Sequence, residues 1–424
     1  MTEAFSISDE FEKARVWKLT DEDIASAQKT VGYDVAETRN LFIEQATENN
    51  IRNYAHGIGD DNPLFTDPAY AEKTRWGGVI APPSMAEVIT KAMYGDKLPQ
   101  EMKEIASGLF RGIHMFVSGS EKVYYEPIFP GDSLHAFSGD ESFVEKLSEF
   151  SGRTVTKFKR RVKLNQRGEI VFNQRTRSIY AERSSAVKKG KYMAIEPATY
   201  SDADLQRIDD LYAAEQRRGA EPRYFEDVSV GEELPAMVKG PLLVTHLIAY
   251  HAGGFGIREY GLFGSRLWHQ NRKRIPPFYI KNEQGIPDVA QRLHWDNAWA
   301  QGIGNPMAYD YGVVRESWLN HYLTDWCGDD GWVFRQYDSM RKFNYIGDTQ
   351  FLSGRVLAKR VDDGRFLVDL ELAMTNQRGE HTVEGEATIL LPSREHGPVI
   401  KPRADLELSA KAQRMFERHN QLKP

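Results

Sequence analysis

The sequence contains a single cysteine, Cys327, among 424 residues. One cysteine cannot form an internal disulfide, which is typical of proteins from a reducing compartment. Cys327 follows Asp325 and Trp326 in a segment rich in large side chains. This setting predicts a buried structural thiol, not a nucleophile.

The chain also lacks an excess of basic residues and any long apolar run. It has 55 Lys and Arg against 61 Asp and Glu, a net charge of -6 and a pI near 6.1. A dedicated nucleic-acid binder needs a basic surface, so this class is excluded. No segment approaches the length of a membrane span, and residues 1–6 lack the features of a signal peptide. We expect a cytoplasmic protein with no membrane partner.

One short pattern is present twice with different residues at key positions. The first copy covers residues 54–83 and the second residues 294–312. When Phe65 is aligned with His294, Pro82-Pro83 align with Tyr311-Gly312. The first copy keeps an Asp-Asn-Pro loop without a histidine, and the second keeps a histidine without that loop. This asymmetry indicates a duplicated fold in which one half carries the chemistry.

Two further markers repeat in the same order. Asn-Gln-Arg-Gly-Glu is found at residues 165–169 and again at 376–380, each time between alternating apolar runs that predict a β-hairpin. Pro130-Gly-Asp132 likewise matches Ile346-Gly-Asp348 at predicted strand starts. Three markers in one order favour a duplication over chance turn sequences.

Each half is predicted to contain a loop, a central helix and several antiparallel strands. Apolar residues at helical spacing place these helices at about residues 83–94 and 311–326. The predicted organisation is an N-terminal unit, a connecting segment, a C-terminal unit with the site, and a terminal arm with a helix, at residues 1–185, 186–224, 225–395 and 396–424. A basic insertion at residues 259–287 is consistent with a lid, a phosphate contact or a solvated loop.

The first copy resembles the N-terminal module of MaoC-type dehydratases, also called the fatty-acid-synthase-like dehydratase module. The resemblance rests on Tyr-Ala-x-x-Ile-Gly-Asp-Asp-Asn-Pro-Leu-Phe-x-Asp at residues 54–67 and on Gly-Gly-Val-Ile-Ala-Pro-Pro at residues 77–83. The second half resembles the catalytic module of (R)-specific enoyl-CoA hydratases by its spacing. The resemblance implies an α+β double hotdog fold, with two antiparallel sheets each wrapped around a central helix. It also implies an acyl-CoA or carrier-linked substrate, with no cofactor and no metal.

The same resemblance implies a catalytic histidine at His294 and a helix-entry glycine at Gly312. The family's catalytic aspartate lies five residues before the histidine, where this chain has Val289. Asp288 is one residue further back, and the insertion upstream could shift the register, so Asp288 is the candidate. The family's helix-entry histidine is replaced by Tyr311, and the first half keeps the aspartate as Asp60.

Hydration of a conjugated thioester needs a base for water, an acid for the α-carbon and donors for the enolate oxygen. His294 with Asp288 supplies the proton transfers in this interpretation, because histidine titrates near neutral pH. The Gly312 N–H at the helix start supplies the oxyanion donor. Further residues are expected to bind substrate: Tyr311, Asp310, Asp60, Asn62 and Pro82. His294 as a backbone-bonding histidine and Asp288 as a solvated loop residue remain the alternatives.

The leading hypothesis is a hydro-lyase, an enoyl-CoA hydratase or 3-hydroxyacyl-CoA dehydratase. One alternative is a thioesterase on the same fold that uses Asp60 or Asp310. Another is a non-catalytic acyl-CoA-binding subunit, and a further homodimer is plausible. A zinc site at His246 and His251 is not favoured, since residues five apart do not share a helix face.

Overall fold

The computed structural model describes residues 5–14, 18–148, 152–182, 195–256 and 265–424. Its α-helices are α1 (Ile7–Ala14), α2 (Asp21–Gln28), α3 (Glu48–Ile58), α4 (Pro63–Thr66), α5 (Pro68–Ala71), α6 (Gln100–Gly108), α7 (Asp202–Ala213), α8 (Val244–Tyr250), α9 (Arg266–Arg274), α10 (Asn297–Gly302), α11 (Gly312–Cys327) and α12 (Leu406–Leu422). Its strands are β1 (Asp34–Ala36), β2 (His114–Tyr124), β3 (His135–Ser148), β4 (Gly152–Leu164), β5 (Ile170–Ala181), β6 (Met237–Lys239), β7 (Tyr279–Lys281), β8 (Pro287–Val289), β9 (Trp332–Met340), β10 (Gln350–Asp362), β11 (Arg365–Asn376) and β12 (His381–Leu390). Short 3-10 turns lie at Pro83–Glu87, Phe225–Asp227, Pro276–Phe278 and Ala290–His294, and a π-helical turn lies at His251–Phe255.

Ten strands form one antiparallel sheet in the order β1-β3-β4-β5-β2-β9-β12-β11-β10-β6. The first half contributes β3-β4-β5-β2 and the second half contributes the mirrored series β9-β12-β11-β10. The two series join through β2 and β9, where Glu121 pairs with Tyr337 and Val123 with Arg335. The two expected sheets are therefore continuous, and β7 and β8 form a separate hairpin.

The repeated sequence markers meet in space in the same way in both halves. The predicted hairpins are confirmed as β4–β5 and β11–β12. In the first half the Gln166 amide donates to Asp132 Oδ1 at 2.8 Å, and in the second the Gln377 amide donates to Asp348 Oδ1 at 2.8 Å. In each half, this hydrogen bond joins the Asn-Gln-Arg-Gly-Glu turn to the Gly-Asp segment. The two repeated sequence markers are therefore in contact with each other in both halves.

Helix α11 is the central element of the second half. It was predicted at about residues 311–326 and extends from Gly312 to Cys327, with every residue from 314 onward buried. Trp318, Leu319, Tyr322 and Leu323 belong to the main core, which includes residues from both halves. A helix that is buried on all sides has no solvent-facing side, so its apolar residues need not lie on one face. Its buried polar residues instead pair with polar groups of the surrounding elements.

The predicted first-half helix at residues 83–94 is wrong: only the 3-10 turn Pro83–Glu87 forms. Beyond it the backbone is extended, and Ile89 and Lys91 make isolated bridges to Ile43 and His135. The buried Lys163 ammonium of β4 donates to the carbonyls of Ala86, Glu87 and Ile89. These carbonyls would accept from helix amides in a continued helix, so the buried lysine provides an alternative partner.

Both chain ends pack on the opposite half. Phe11 of α1 lies edge-on to Trp299 of α10, with ring centroids 5.7 Å apart. Leu408 and Ala412 of α12 pack with Phe137 and Val162 of the first-half sheet. Within the described residues, no helix combines the length and apolar character needed to cross a bilayer.

Candidate active site

His294 ends the 3-10 turn that precedes α10, and its ring is fixed from two sides. Its Nδ1 lies 2.8 Å from the carbonyl oxygen of Tyr309, so Nδ1–H donates and Nε2 keeps a lone pair. Its ring lies 4.0 Å from the ring of Tyr311, centroid to centroid, at 38°. Burial lowers the pKa of His294 to about 4, so the ring is neutral at pH 7 and its Nε2 is a proton acceptor.

Tyr311 is buried and its hydroxyl belongs to a directed hydrogen-bond chain. The Gln291 amide donates to this hydroxyl at 2.6 Å, and His251 Nε2 lies 3.1 Å from it. His251 Nδ1 lies 2.5 Å from the carbonyl of Gly256, so Nδ1–H donates there and Nε2 accepts from the tyrosine. This series of hydrogen bonds fixes Tyr311 at the helix start, where the resemblance implied a histidine.

Gly312 is the first residue of α11, directly after Tyr311. Tyr311 occupies the N-cap position and makes no side-chain cap bond. The first amides of a helix have no partner within the helix, and the helix dipole favours negative charge beside them. A Cβ on Gly312 would meet Met340 Cε at 3.8 Å and Val117 Cβ at 4.0 Å, which are ordinary contacts. The structure therefore places Tyr311 in ring contact with His294 and Gly312 directly after Tyr311 at the start of α11.

Asp288 lies on β8 and is bound by an arginine. Its Oδ2 lies 3.1 Å from Arg292 Nη1, and the same guanidinium lies 2.8 Å from Asp296 Oδ2. Asp288 Oδ1 accepts from the Val289 amide at 2.7 Å. Asp296 in turn caps α10 by accepting from the Trp299 amide. These contacts give Asp288 a defined role in holding the turn that carries His294.

Asp310 is buried beside the start of α11. Its Oδ2 lies 3.0 Å from Arg315 Nε and accepts from the Asn344 amide at 2.8 Å. Burial raises the pKa of Asp310 to about 6, against the lowering effect of Arg315. Since Arg315 lies one turn into α11, this ion pair fixes the helix start and with it the Gly312 amide.

The expected first-half residues form a buried loop against α11. Asn62 Oδ1 accepts from the Leu64 amide at 2.9 Å, and Asn62 Nδ2 donates to Asp329 Oδ1 at 3.2 Å. Asp60 Oδ1 accepts from the Asn62 amide, and the same oxygen lies 3.7 Å from His321 Nε2 of α11. Phe65 and Pro82 are buried. This loop thus lies deeper along α11 than Gly312 does.

The buried cysteine agrees with its expected structural role. Cys327 is a free thiol at the end of α11, and burial raises its pKa to about 12. A thiol that stays protonated at neutral pH is a poor nucleophile. Of the basic insertion, residues 259–264 lie outside the described residues, and α9 contains Arg266, Arg272, Lys273 and Arg274.

Sequence reasoning missed His251, Gln291, His321 and Asp325. His251 is 43 residues before His294 in sequence, and only the fold brings it to Tyr311. His321 and Asp325 are four residues apart on α11, a spacing that places two side chains on one helix face. The four-residue spacing is the sequence signal for this pair, within a helix whose regularly spaced aromatic residues indicate core packing.

Comparisons with known proteins support the family resemblance. Residues 29–174 match the family profile described as FAS1-like, dehydratase domain region. A UPF0336 protein of Streptomyces avermitilis is 32% identical over 106 residues, covering 25% of this chain and 64% of the relative. The alpha subunit of the 3-oxo-4,17-pregnadiene-20-carboxyl-CoA hydratase of Mycobacterium tuberculosis is 30% identical over 98 residues, covering 21% and 31%. The chain spans less than two thirds of the length of each of these relatives.

Two solved structures share the fold across most of the chain. One is a MaoC-like dehydratase with a TM-score of 0.56 and 18% identity, covering 86% of this chain and 99% of that chain. The other is a Mycobacterium tuberculosis protein described as a double hotdog, with a TM-score of 0.51 and 10% identity, covering 86% and 97%. The expected α+β double hotdog fold is confirmed. Residues 29–174 are therefore similar to the FAS1-like dehydratase domain region, and the chain shares the double-hotdog fold of these two solved structures.

Proposed function

We propose that this chain is a hydro-lyase that hydrates 2-enoyl-CoA thioesters, or dehydrates 3-hydroxyacyl-CoA thioesters in reverse. The observation that carries the proposal is the position of His294, a neutral imidazole whose ring lies against Tyr311, the residue before the helix start at Gly312, where no side chain caps the helix. The family match to a dehydratase region supports the reaction class. The name of the Mycobacterium tuberculosis relative, a hydratase of a CoA thioester, supports the substrate class.

The proposed mechanism uses one base and one oxyanion donor. His294 Nε2 takes a proton from water while the water oxygen bonds to C3 of the enoyl group. The π electrons move to the thioester oxygen, which accepts from the Gly312 N–H. The α-carbon then takes the proton back from the imidazolium, which completes the addition. The lowered pKa of His294, about 4, makes the imidazole a weak base for the first step and its imidazolium a ready proton donor for the second.

We assign Asp288 in this proposal to positioning, not to proton transfer. Its carboxylate is bound by Arg292, which also bridges to Asp296 at the start of α10. This arrangement holds the segment on both sides of His294. The two proton transfers then belong to His294 alone, and the Asp288→Asn variant discussed below tests the assignment.

The thioesterase alternative needs Asp60 or Asp310 as its reactive carboxylate, and the positions of both residues argue against it. Asp310 is bound by Arg315 and Asn344, and Asp60 is buried with its Oδ1 accepting from the Asn62 amide. A thioesterase would release free CoA thiol from a saturated acyl-CoA, whereas a hydratase removes the enoyl absorbance without releasing thiol. Both signals can be followed in the same assay series with crotonyl-CoA and longer substrates.

The test compares His294→Gln with His381→Gln, an exposed histidine on β12. Loss of general acid–base catalysis lowers kcat by about 10²- to 10⁴-fold, which we expect for His294→Gln alone. Circular dichroism confirms that both variants are folded. Full hydratase activity in His294→Gln would contradict the assignment of the base. Tight acyl-CoA binding by the wild type with no turnover would favour a binding subunit instead.

A further inference from the structure

A cavity of about 520 Å³ lies between the first-half sheet and the segments that cover it. It is lined by residues of β3, β4 and β5, by the segment at residues 33–41 around β1, and by α6 with its flanking residues. Every residue that lines it falls between Thr30 and Tyr180. The cavity therefore belongs to the first half alone, whereas the proposed base and oxyanion donor belong to the second.

Four cationic side chains follow one face of β4. Alternate residues of a strand point to the same side of the sheet. The cations stand at every second position, as Lys157, Lys159, Arg161 and Lys163. Lys157 pairs with Asp140 at 2.8 Å. Arg161 pairs with Glu37, and Lys163 donates to three main-chain carbonyls. Three of the four cations are therefore satisfied within the protein.

Lys159 is the exception in this row, and it lines the cavity. Its side chain is half-buried, yet its ammonium forms no ion pair and no hydrogen bond with any residue that the structure describes. The carboxylates of Glu37 and Asp140 act on it electrostatically but are bound by Arg161 and Lys157. Burial lowers the pKa of Lys159 from its ordinary value, so its charged form lacks the stabilisation that a bound anion would supply.

The charged side chains around the cavity carry one net positive charge when ionised. They are three cations and two anions, namely Arg39, Lys157, Lys159, Glu37 and Asp140. A ligand with a single negative charge balances this set, whereas a doubly charged phosphate group exceeds it. A carboxylate is such a ligand, and it accepts charge-assisted hydrogen bonds from an ammonium.

One wall of the cavity is apolar. Helix α6 contributes Met102 and Ala106, and Leu109 follows at its C-terminal end. Their spacing of four and three residues places them on one helix face. Leu41 and Leu98 extend this apolar surface. The cavity therefore offers an apolar wall as well as a cation without a partner.

The strand register gives the distance between the cation and the far end of the cavity. Lys159 is paired with Thr176 on β5, and Val155 is paired with Tyr180. Tyr180 also lines the cavity, and its ring lies 4.6 Å from that of Phe110, centroid to centroid, next to the apolar wall. The two pairs are four residues apart, which corresponds to about 13 Å along the strand. An elongated ligand can therefore reach from Lys159 to the apolar end.

We propose that this cavity binds a monocarboxylate with an unbranched apolar chain, the chemistry of a medium-chain fatty acid. The Lys159 ammonium donates to the carboxylate, and the chain lies along α6, where it is removed from water. The site goes beyond the proposed hydration reaction and does not depend on it, because no residue of the second half lines the cavity.

The experiment measures binding of octanoate to the full chain by isothermal titration calorimetry at pH 7. Acetate presents the carboxylate without the chain, and 1-octanol presents the chain without the charge. Lys159→Met removes the ammonium and keeps a long unbranched side chain, while Lys159→Arg keeps the positive charge. Lys146→Met, at an exposed lysine of the neighbouring strand β3, is the matched control.

We expect the wild type and Lys146→Met to bind about one equivalent of octanoate, and to bind acetate and 1-octanol at least about tenfold more weakly. Lys159→Met should bind octanoate about 10- to 100-fold more weakly, which is the effect of losing one charge-assisted hydrogen bond. Lys159→Arg should lose less than about tenfold. Without ligand, Lys159→Met should melt at or above the temperature of the wild type, because it removes a half-buried charge that has no partner.

The comparison of the three ligands on the wild type tests the proposal without any variant. Absence of saturable octanoate binding up to about 1 mM would overturn it. Acetate or 1-octanol binding as tightly as octanoate would overturn it as well, since each lacks one of the two features that the cavity offers. Equal octanoate binding by the wild type and folded Lys159→Met would place the carboxylate elsewhere and reject the site.

Discussion

The imidazole of His294 lies against the phenol ring of Tyr311, with centroids 4.0 Å apart, and the next residue begins the central helix. The stack links the 3-10 turn before α10 to the start of α11. Hydrogen bonds from Gln291 and to His251 hold the phenol, and the Tyr309 carbonyl holds the imidazole. His294 and the first amide of α11 are therefore positioned by one set of contacts, each of which can be removed separately.

Tyr311→Phe keeps the ring on His294 and removes the hydroxyl. The variant takes one hydrogen-bond partner from Gln291 and one from His251, both in a partly buried setting. We expect the free energy of unfolding to fall by about 1–3 kcal/mol. Urea denaturation measures this change, with the exposed Tyr33→Phe as a control expected to stay within about 0.5 kcal/mol. Equal effects at both tyrosines would contradict the proposed network.

The stability of the wild type is expected to fall in acid through His294. Its folded pKa of about 4 lies below the ordinary value near 6.5, so the unfolded chain binds the proton more readily. The contribution of the neutral ring is fully present above pH 6.5 and is lost as the pH falls towards 4. Between pH 7 and pH 5.5, wild type is expected to lose about 1 kcal/mol more than His294→Gln. Equal losses in urea denaturation would argue against a buried neutral histidine.

Gly312→Ala separates folding from oxyanion binding. The added methyl would make only ordinary contacts with Met340 and Val117, so the free energy of unfolding should change by less than about 1 kcal/mol. The methyl would, however, stand where a thioester oxygen approaches the amide. Loss of an oxyanion donor typically costs about 10²- to 10³-fold in kcat, which sets the expected decrease. Steady-state hydration kinetics with crotonyl-CoA, at wild-type-like stability, are the measurement, and unchanged kcat would reject the Gly312 amide as donor.

Asp288→Asn tests the positioning role given to that residue. The amide keeps the size of the carboxylate and weakens the contact with Arg292, which retains Asp296. We expect kcat to fall by less than about tenfold, well below the loss of about 10²-fold or more expected when a proton-transfer group is removed. Glu283→Gln, at the weaker 3.7 Å contact of the same guanidinium, serves as control. A loss in Asp288→Asn as large as that in His294→Gln would place Asp288 in the reaction itself.

Lys122 is expected to be critical for stability at the junction of the two halves. It is fully buried on β2, pairs with Glu316 of α11 at 2.7 Å and also pairs with Glu87. Lys122→Met leaves both carboxylates without their cation, and breaking a buried pair in this way costs about 3–5 kcal/mol. Lys342 forms a solvent-exposed ion pair with Glu380 and serves as the control. Lys342→Met should lower the free energy of unfolding by less than about 1 kcal/mol.

Urea denaturation of both lysine variants provides the measurement. Adding Glu316→Gln to Lys122→Met should recover part of the loss, because it removes one of the stranded charges. Similar stability changes for Lys122→Met and Lys342→Met would contradict the view that the buried pair couples the halves.

The sequence by itself determined the features that depend on neighbours along the chain. The hairpins at residues 165–169 and 376–380, helix α11 and the duplicated order of elements follow from turn residues and periodicity. The spacing from His294 to Gly312 also singled out the two residues on which the proposed function rests. The ion pair between Asp288 and Arg292 is also local in sequence, because the two residues are four positions apart.

The tertiary structure alone decided which side chains from distant segments meet. Lys163 of β4 binds the carbonyls that the expected first-half helix would have used, so that helix ends after one turn. His251 reaches Tyr311, and Asp60 reaches His321, across 261 positions of sequence. Periodicity reports only local burial, whereas these contacts arise from the packing of two halves around one buried helix, which no local pattern encodes.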